Sequence, residues 1–166
     1  MKIKFEDFKK YNVGIDWNIL KLGFYGFAYM KPQFDKNDIE RYACNILSKS
    51  SNDNYNVALL ASAKSLDDFE VSESLNKLVD NKSMEKDKRK WIAIYLLKTL
   101  DALDDKDYIN GLVTVGDVWA MFDFPDFSPH IIQGKNNNIT PTEYYTEDNY
   151  ITIKNVNREW AYKQIE

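Results

Sequence analysis

An all-α, single-domain fold is the expectation for this 166-residue chain: an irregular helical bundle around one buried helix at about residues 88–103. Three observations lead there. The first is the stretch Lys88 to Leu103, KRKWIAIYLLKTLDAL, where Trp91, Ile92, Ile94, Tyr95, Leu96, Leu97, Leu100 and Leu103 leave almost no polar face before Lys98. A helix apolar nearly all round is buried on several sides. It is too short, and too closely flanked by charge, to cross a bilayer, which takes ~20 apolar residues. The second is apolar spacing at i, i+3, i+4 in segment after segment, the mark of amphipathic helices. The third is composition: 44% hydrophobic and 14% aromatic residues can build a real core in a chain of one-domain length.

The elements follow in order. Phe5 and Phe8, set among charges, predict a short helix ending near Asn12–Gly14. Asp16 is an N-cap for Trp17–Leu22, its carboxylate able to accept an orphan backbone N–H. Gly23 and Gly26 let a helix end pack closely before the break at Pro32. Asp35 is a second N-cap, with Asp38 in a first turn that favours negative charge. Ile39, Tyr42, Ala43, Ile46 and Leu47 then make an inward stripe, and Ser48 to Asn54 is a polar loop. Helices are expected over Tyr55–Ala63 and Phe69–Val79, with a turn at Asp80–Ser83 before the central helix. Tyr108 to Phe122 is read as a helix on the stripe Ile109, Leu112, Val113, Gly116, Trp119 and Phe122, although LVTV has strand character and Gly111 and Gly116 each cost ~1 kcal/mol against Ala in a helix. Pro125 and Pro129 bracket a tight turn leading to a short element at His130–Gln133. Gly134 to Thr140 is a loop, Tyr150 to Ile153 a short strand or extended segment, and Arg158 to Ile165 a closing helix with Trp160, Ala161 and Ile165.

A formal net charge of −4 disfavours direct nucleic-acid binding, which needs a basic face. The basic run Lys86, Lys88, Arg89 and Lys90 is interleaved with Glu85 and Asp87 and reads as a solvated first turn. No segment spans a membrane, and no signal-peptide pattern opens the chain, so the cytoplasm is the expected location. The single cysteine, Cys44, excludes an intramolecular disulfide and reads as a small core residue. With one histidine, His130, a two-His metal site is excluded within the chain; no metal and no cofactor are expected. A Cys44–His130 nucleophile–base pair lacks any surrounding motif and a third group. Gly23-x-x-Gly26 lacks the lysine and hydroxyl of a phosphate-cradling loop.

The acidic stretch is the sharpest feature. From Asp101 to Asp126 the acids are Asp101, Asp104, Asp105, Asp107, Asp117, Asp123 and Asp126, against Lys106 alone, a local charge of −6. Asp104-Asp105-x-Asp107 has some likeness to a calcium loop, but the glycine and distal glutamate of that loop are misplaced. One reading is a solvated loop with helix caps; the other is an electrostatic docking face for a basic partner. Tyrosines and asparagines in Asn136–Tyr150 have the composition of recognition loops, which adds Tyr144 and Tyr145 as weaker candidates.

Asp38-Ile39-x-x-Tyr42-Ala43 resembles the second helix of the bacterial domain-of-unknown-function family 2247. Lys90-Trp91-Ile92 resembles its central helix. Asp107-Tyr108, followed by Trp119-Ala120-x-Phe122-Asp123-Phe124-Pro125, resembles its Tyr-Ala-Asp-Phe-Asp-Tyr-Pro segment. The match runs roughly over residues 13–133, while Gly111 and Gly116 stand where that family usually has helix formers. The family has no established catalytic residues. The resemblance implies a small α-helical bacterial protein, of a kind often found beside polymorphic toxins, and hence an immunity role rather than an enzyme. The expected partner is a cognate basic toxin domain, with a nuclease the leading case. The expected contact residues are Asp104, Asp105, Asp107, Asp123 and Asp126, with Tyr144 and Tyr145. A helical adaptor with a non-toxin partner is the alternative. A hydrolase using Cys44–His130, or aspartates with magnesium, is a third class.

Overall fold

The computed structural model describes residues 1–49 and 54–166, and the described residues form an all-α fold. The elements are α1 (Phe5–Lys10), α2 (Trp17–Tyr25), α3 (Lys36–Lys49), α4 (Tyr55–Leu60), a 3₁₀ turn at Ala63–Ser65, α5 (Asp68–Leu78), α6 (Met84–Ala102), α7 (Tyr108–Met121), α8 (Pro141–Tyr144) and α9 (Glu147–Ile165). Of the polar loop expected at Ser48–Asn54, residues 50–53 lie outside the described residues. Ser48 and Lys49 belong to α3, and Asn54 caps α4 by accepting from the Asn56 N–H.

The central helix is α6. Trp91, Ile92, Ala93, Ile94, Leu96, Leu97 and Leu100 are buried, among residues from α1, α2, α7 and α9. Trp91 shows how such a helix is covered on several sides. Its ring meets Phe8 and Phe34, and its indole N–H donates to the Ile19 carbonyl at 2.9 Å. α2 can approach this closely because of Gly23, where a Cβ would stand 2.4 Å from the Phe34 ring and 2.7 Å from Trp91.

α6 starts at Met84, a turn earlier than expected. Glu85 and Asp87 in its first turn suit the helix dipole. The basic run is therefore interior and largely engaged: Lys88 pairs with Glu85 at 2.5 Å, Lys90 with Asp87 at 2.6 Å, and Arg89 lies over the Phe127 ring. Asp87 is buried, and it is tolerated there because Lys90 and the Asn18 amide both reach it. Asn18 also donates to the Asp80 carbonyl and Ser83 hydroxyl, clamping α2 to the turn before α6.

A second apolar cluster holds α3, α4 and α5 through Ile39, Ala43, Val57, Leu60, Ala63, Val71 and Leu75. Trp17 packs on both clusters and joins them. Cys44 is exposed on α3, its thiol 3.6 Å from the Ala61 carbonyl; Ala43 is the small core residue instead. The helical stripe turns inward at Ile39 and Ala43, which rotates Cys44 outward.

Two local expectations give way. His130–Gln133 forms no helix or strand. Its backbone is held by side chains instead, with Ser128 accepting from the His130 N–H and Asn137 donating to the Ile132 carbonyl. Tyr150–Ile153 is helical and lies inside α9, which begins at Glu147 rather than Arg158. The run YITI is β-branched, but Thr146 caps the helix, and Tyr150, Ile153, Asn157 and Ala161 form one long buried stripe. That stripe exceeds four-residue propensity in weight.

Candidate functional site

The acidic stretch divides into carboxylates used inside the fold and carboxylates left on its surface. Asp101, at the end of α6, accepts from Lys10 at 2.6 Å, Tyr11 at 2.7 Å and Arg158 at 3.0 Å. Burial alone would raise its pKa, but these three donors outweigh burial and hold the carboxyl below its ordinary range. Asp105 pairs with Lys154 and accepts from the Tyr150 hydroxyl, and both keep its pKa low. The Tyr150 ring in turn lies over Gly111, where a Cβ would be 2.5 Å from the ring. Gly111, Tyr150 and Asp105 thus pin the α6–α7 turn to α9. Asp107 caps α7 by accepting from the Asn110 N–H at 3.0 Å.

Asp104, Asp117, Asp123 and Asp126 remain. All four are exposed, and among the described residues none has an ion pair. Asp104 only accepts from the Lys106 N–H, fixing its own turn. α7 carries no lysine or arginine, and Asp117 is its one charged side chain. Its solvent side also carries exposed Asn110 and half-buried Thr114, together with two exposed apolar side chains one helical turn apart, Ile109 at 50% and Val113 at 44%.

Asp123 is the most informative of the four. α7 ends with the Asp123 N–H on the Ala120 carbonyl and the Phe124 N–H on the Trp119 carbonyl, the paired bonds of a Schellman cap. The residue after such a cap is usually glycine, because its φ is positive. Here Asp123 has φ 61° and Phe124 φ 44°. An acid is also electrostatically unfavourable at a helix C-terminus. Aspartate tolerates this backbone region better than most residues, but the helix dipole gives no reason for its charge.

A surface groove of about 510 Å³ runs between α6 and α7. Asn110, Thr114, Asp117 and Met121 form its α7 wall, a continuous stripe that begins at Asp107. Tyr95, Thr99 and Ala102 of α6, with Leu103 just after it, form the opposite wall, and Met1 also lines the groove. Beside its end the Tyr29 N–H donates to the Met121 carbonyl at 2.9 Å, and the Tyr29 side chain is 69% exposed.

Of the expected contact residues, the fold presents Asp104, Asp123 and Asp126 outward without an ion pair, and Asp105, also exposed, is paired with Lys154. Asp107 sits at the edge with one oxygen used. Tyr144 is 5% exposed, packed into the main core, so it is unavailable as a surface anchor; Tyr145 is at the surface beside it. Cys44 and His130 do not meet: the thiol lies on Ala61, while the imidazole stacks on Phe124. His130 is largely buried and its Nδ1 has no partner, and burial pushes its pKa down to about 4. Asp117, Tyr29, Ile109 and Val113 complete the face and were not among the expected residues. Asp117 was legible, because it continues the 107–110–114 spacing. Tyr29 was not, because its place depends on the loop after α2 folding onto α7.

Among the described residues no group of three or more His, Cys, Asp or Glu side chains is arranged to hold a metal ion, and no helix is long and apolar enough to cross a membrane. Comparison with curated proteins finds no match, and comparison with solved structures finds none. A family model described as "Uncharacterized protein conserved in bacteria (DUF2247)" matches residues 5–165, and the chain belongs to that family.

Proposed function

We propose that this protein is an immunity protein, which binds a cognate bacterial toxin domain and blocks its active or substrate-binding surface stoichiometrically. The observation that supports this most is the makeup of the α7 face. Four acids without an ion pair, Asp104, Asp117, Asp123 and Asp126, lie on or next to a helix that has no base and that exposes Ile109 and Val113. A nuclease is the leading partner, since a cleft that holds a phosphate backbone must be basic. Acids opposite such a cleft steer encounter and compete with its substrate. Exposed aromatic and aliphatic side chains, with Tyr29 foremost, then slow dissociation. The Asp123 carboxylate fits this reading, because a locally unfavourable acid at the surface is explained by a partner. The protein would act in the cytoplasm, where the toxin meets its substrate, and would need no turnover of its own.

Co-expression tests the proposal. The variable C-terminal domain of a secreted protein encoded upstream, taken as the candidate toxin, is produced in cells with and without the protein. Survival only in its presence, with a 1:1 complex recoverable by size exclusion, is the expected result. Unprotected cells, with no complex formed, would overturn it and leave a helical adaptor for another kind of protein as the reading.

A further inference from the structure

Between α7 and α8 the chain runs through residues 122–140 without helix or strand. Irregular stretches of this length are uncommon inside a compact domain, and those that occur usually move or bind. Among the described residues, every hydrogen bond of 125–139 joins two residues of that same stretch. The Ser128 N–H donates to the Pro125 carbonyl and the Lys135 N–H to the Ile132 carbonyl. The Asn137 amide donates to the Ile132 and Lys135 carbonyls and accepts from the Gly134 and Ile139 N–H groups, and the Gln133 amide donates to the Ile139 carbonyl. No side chain of the stretch is fully buried. Side-chain packing alone holds it to the helices. Phe127 meets the Arg89 guanidinium of α6, 4.4 Å from its ring centre, and the parallel Trp160 ring of α9 at 5.8 Å. His130 stacks on Phe124 and stands against α7 at Gly116, where a Cβ would be 3.5 Å from its Nε2. Ile139 packs on the main core.

We propose that residues 125–139 form a strap that opens from α7 and α9 as one unit, with His130 as its latch: the neutral imidazole keeps it shut and the imidazolium releases it. Hydrogen bonds confined to the strap couple its residues to one another and not to the helices, which is the condition for local, cooperative opening. The latch follows from the surroundings of the ring. Its Nδ1 is buried and has no partner. A neutral ring leaves one acceptor unmet there, whereas an imidazolium carries two N–H donors and a charge, all in want of acceptors or water. The charged groups nearby do not supply them. On α7 the only charged side chain is Asp117, next to Gly116 and exposed. Asp126 and Lys135 share with His130 the walls of a hollow of about 290 Å³ within the strap, and Arg89 faces Phe127. Among the described residues no carboxylate lies within ion-pair distance of the imidazole. Opening gives the imidazolium to solvent. The lowering of the His130 pKa to about 4 by burial has the same sense: closure is fully supported above pH 6.5, and the support is lost as pH falls toward 4.

Amide hydrogen exchange of the full chain, read by NMR and corrected for intrinsic rates, tests both parts. The amides of Ser128, His130, Gly134, Lys135 and Ile139, each bonded within the strap, should share one protection factor, well below those of Ile94 and Leu97 in α6. Low concentrations of denaturant should barely change it, because opening exposes little surface, while protection in α6 falls steeply. Between about pH 7.5 and 5 the strap value should drop at least roughly tenfold. Phe127→Ala should lower it at every pH. His130→Phe should keep the strap shut and flatten its pH profile. Unrelated protection factors along the strap, or values that follow α6 through the denaturant series, would overturn the separate unit. A parent strap equally protected at both pH values, or a His130→Phe variant with the parent's profile, would overturn the latch. The parent protein alone decides both points if either variant fails to fold.

Discussion

Asp123 occupies the position after α7 where a helix usually ends on glycine, and its φ of 61° is comfortable for glycine and strained for most other residues. Asp123→Gly should therefore raise stability by about 0.5–1 kcal/mol, read as a denaturant midpoint, while slowing association with the partner. A variant both less stable and equally fast in binding would remove the functional reason for this acid. An acid that caps a helix should behave in the opposite way. Asp107→Ala should cost about 1 kcal/mol through loss of the α7 cap. His130 gives a separate signature at low pH. Its folded pKa of about 4 lies below the ordinary 6.5 because burial disfavours the charged ring. The unfolded chain thus binds the proton first, and the contribution is fully present above pH 6.5 and is lost as pH falls toward 4. The ring is partly screened by solvent, so the expected loss is about 1–2 kcal/mol. It is measured by denaturant titration between pH 7 and 4.5, with His130→Phe showing a flatter profile.

At the scale of elements, the two glycines of α7 look alike in the sequence and do different things. At Gly111 a Cβ would collide with Tyr150, whereas at Gly116 it would meet His130 at 3.5 Å, an ordinary contact. Gly111→Ala should destabilise by roughly 1–3 kcal/mol through overpacking. Gly116→Ala should be neutral or stabilise by up to ~1 kcal/mol through helix propensity. Thermal melts of the pair decide it, and a similar effect at both sites would contradict the Gly111–Tyr150–Asp105 junction. That junction also shows where sequence patterns stop. Long apolar stripes made α3, α6 and α7 readable, because burial dominates propensity over three or more turns. The first half of α9 was misread because a four-residue window around Tyr150 shows β-branching and not the stripe that Gly111 completes from another helix. The pairing of Asp105 was illegible for the same reason: its partners, Tyr150 and Lys154, are distant in the chain.

The whole molecule is organised as two apolar clusters joined through Trp17, with α6 inside the larger one. Trp91→Ala removes the ring that Phe8, Phe34 and α2 pack against, and should cost ~3–5 kcal/mol, enough to unfold a domain of ordinary stability. Circular dichroism at 25 °C would show it, and a melting temperature within a few degrees of the parent would contradict the central role of α6. The architecture was legible because α6 is apolar all round. The exposed acids on and next to α7 were legible only as an excess of acids, since sequence alone does not tell a carboxylate held by Arg158 from one left to solvent. The most direct measurement is the association rate of the candidate toxin domain with two triple variants at low and physiological salt. In one, Asp104, Asp117 and Asp123 are changed to Asn; in the other, Asp68 is changed to Asn, and Glu73 and Glu159 to Gln. Both alter net charge equally, and surface charges contribute little to folding. The first should associate at least roughly tenfold more slowly at low salt and lose most of its salt dependence, while the second stays close to the parent. Equal rates for the two variants would contradict a docking face on α7.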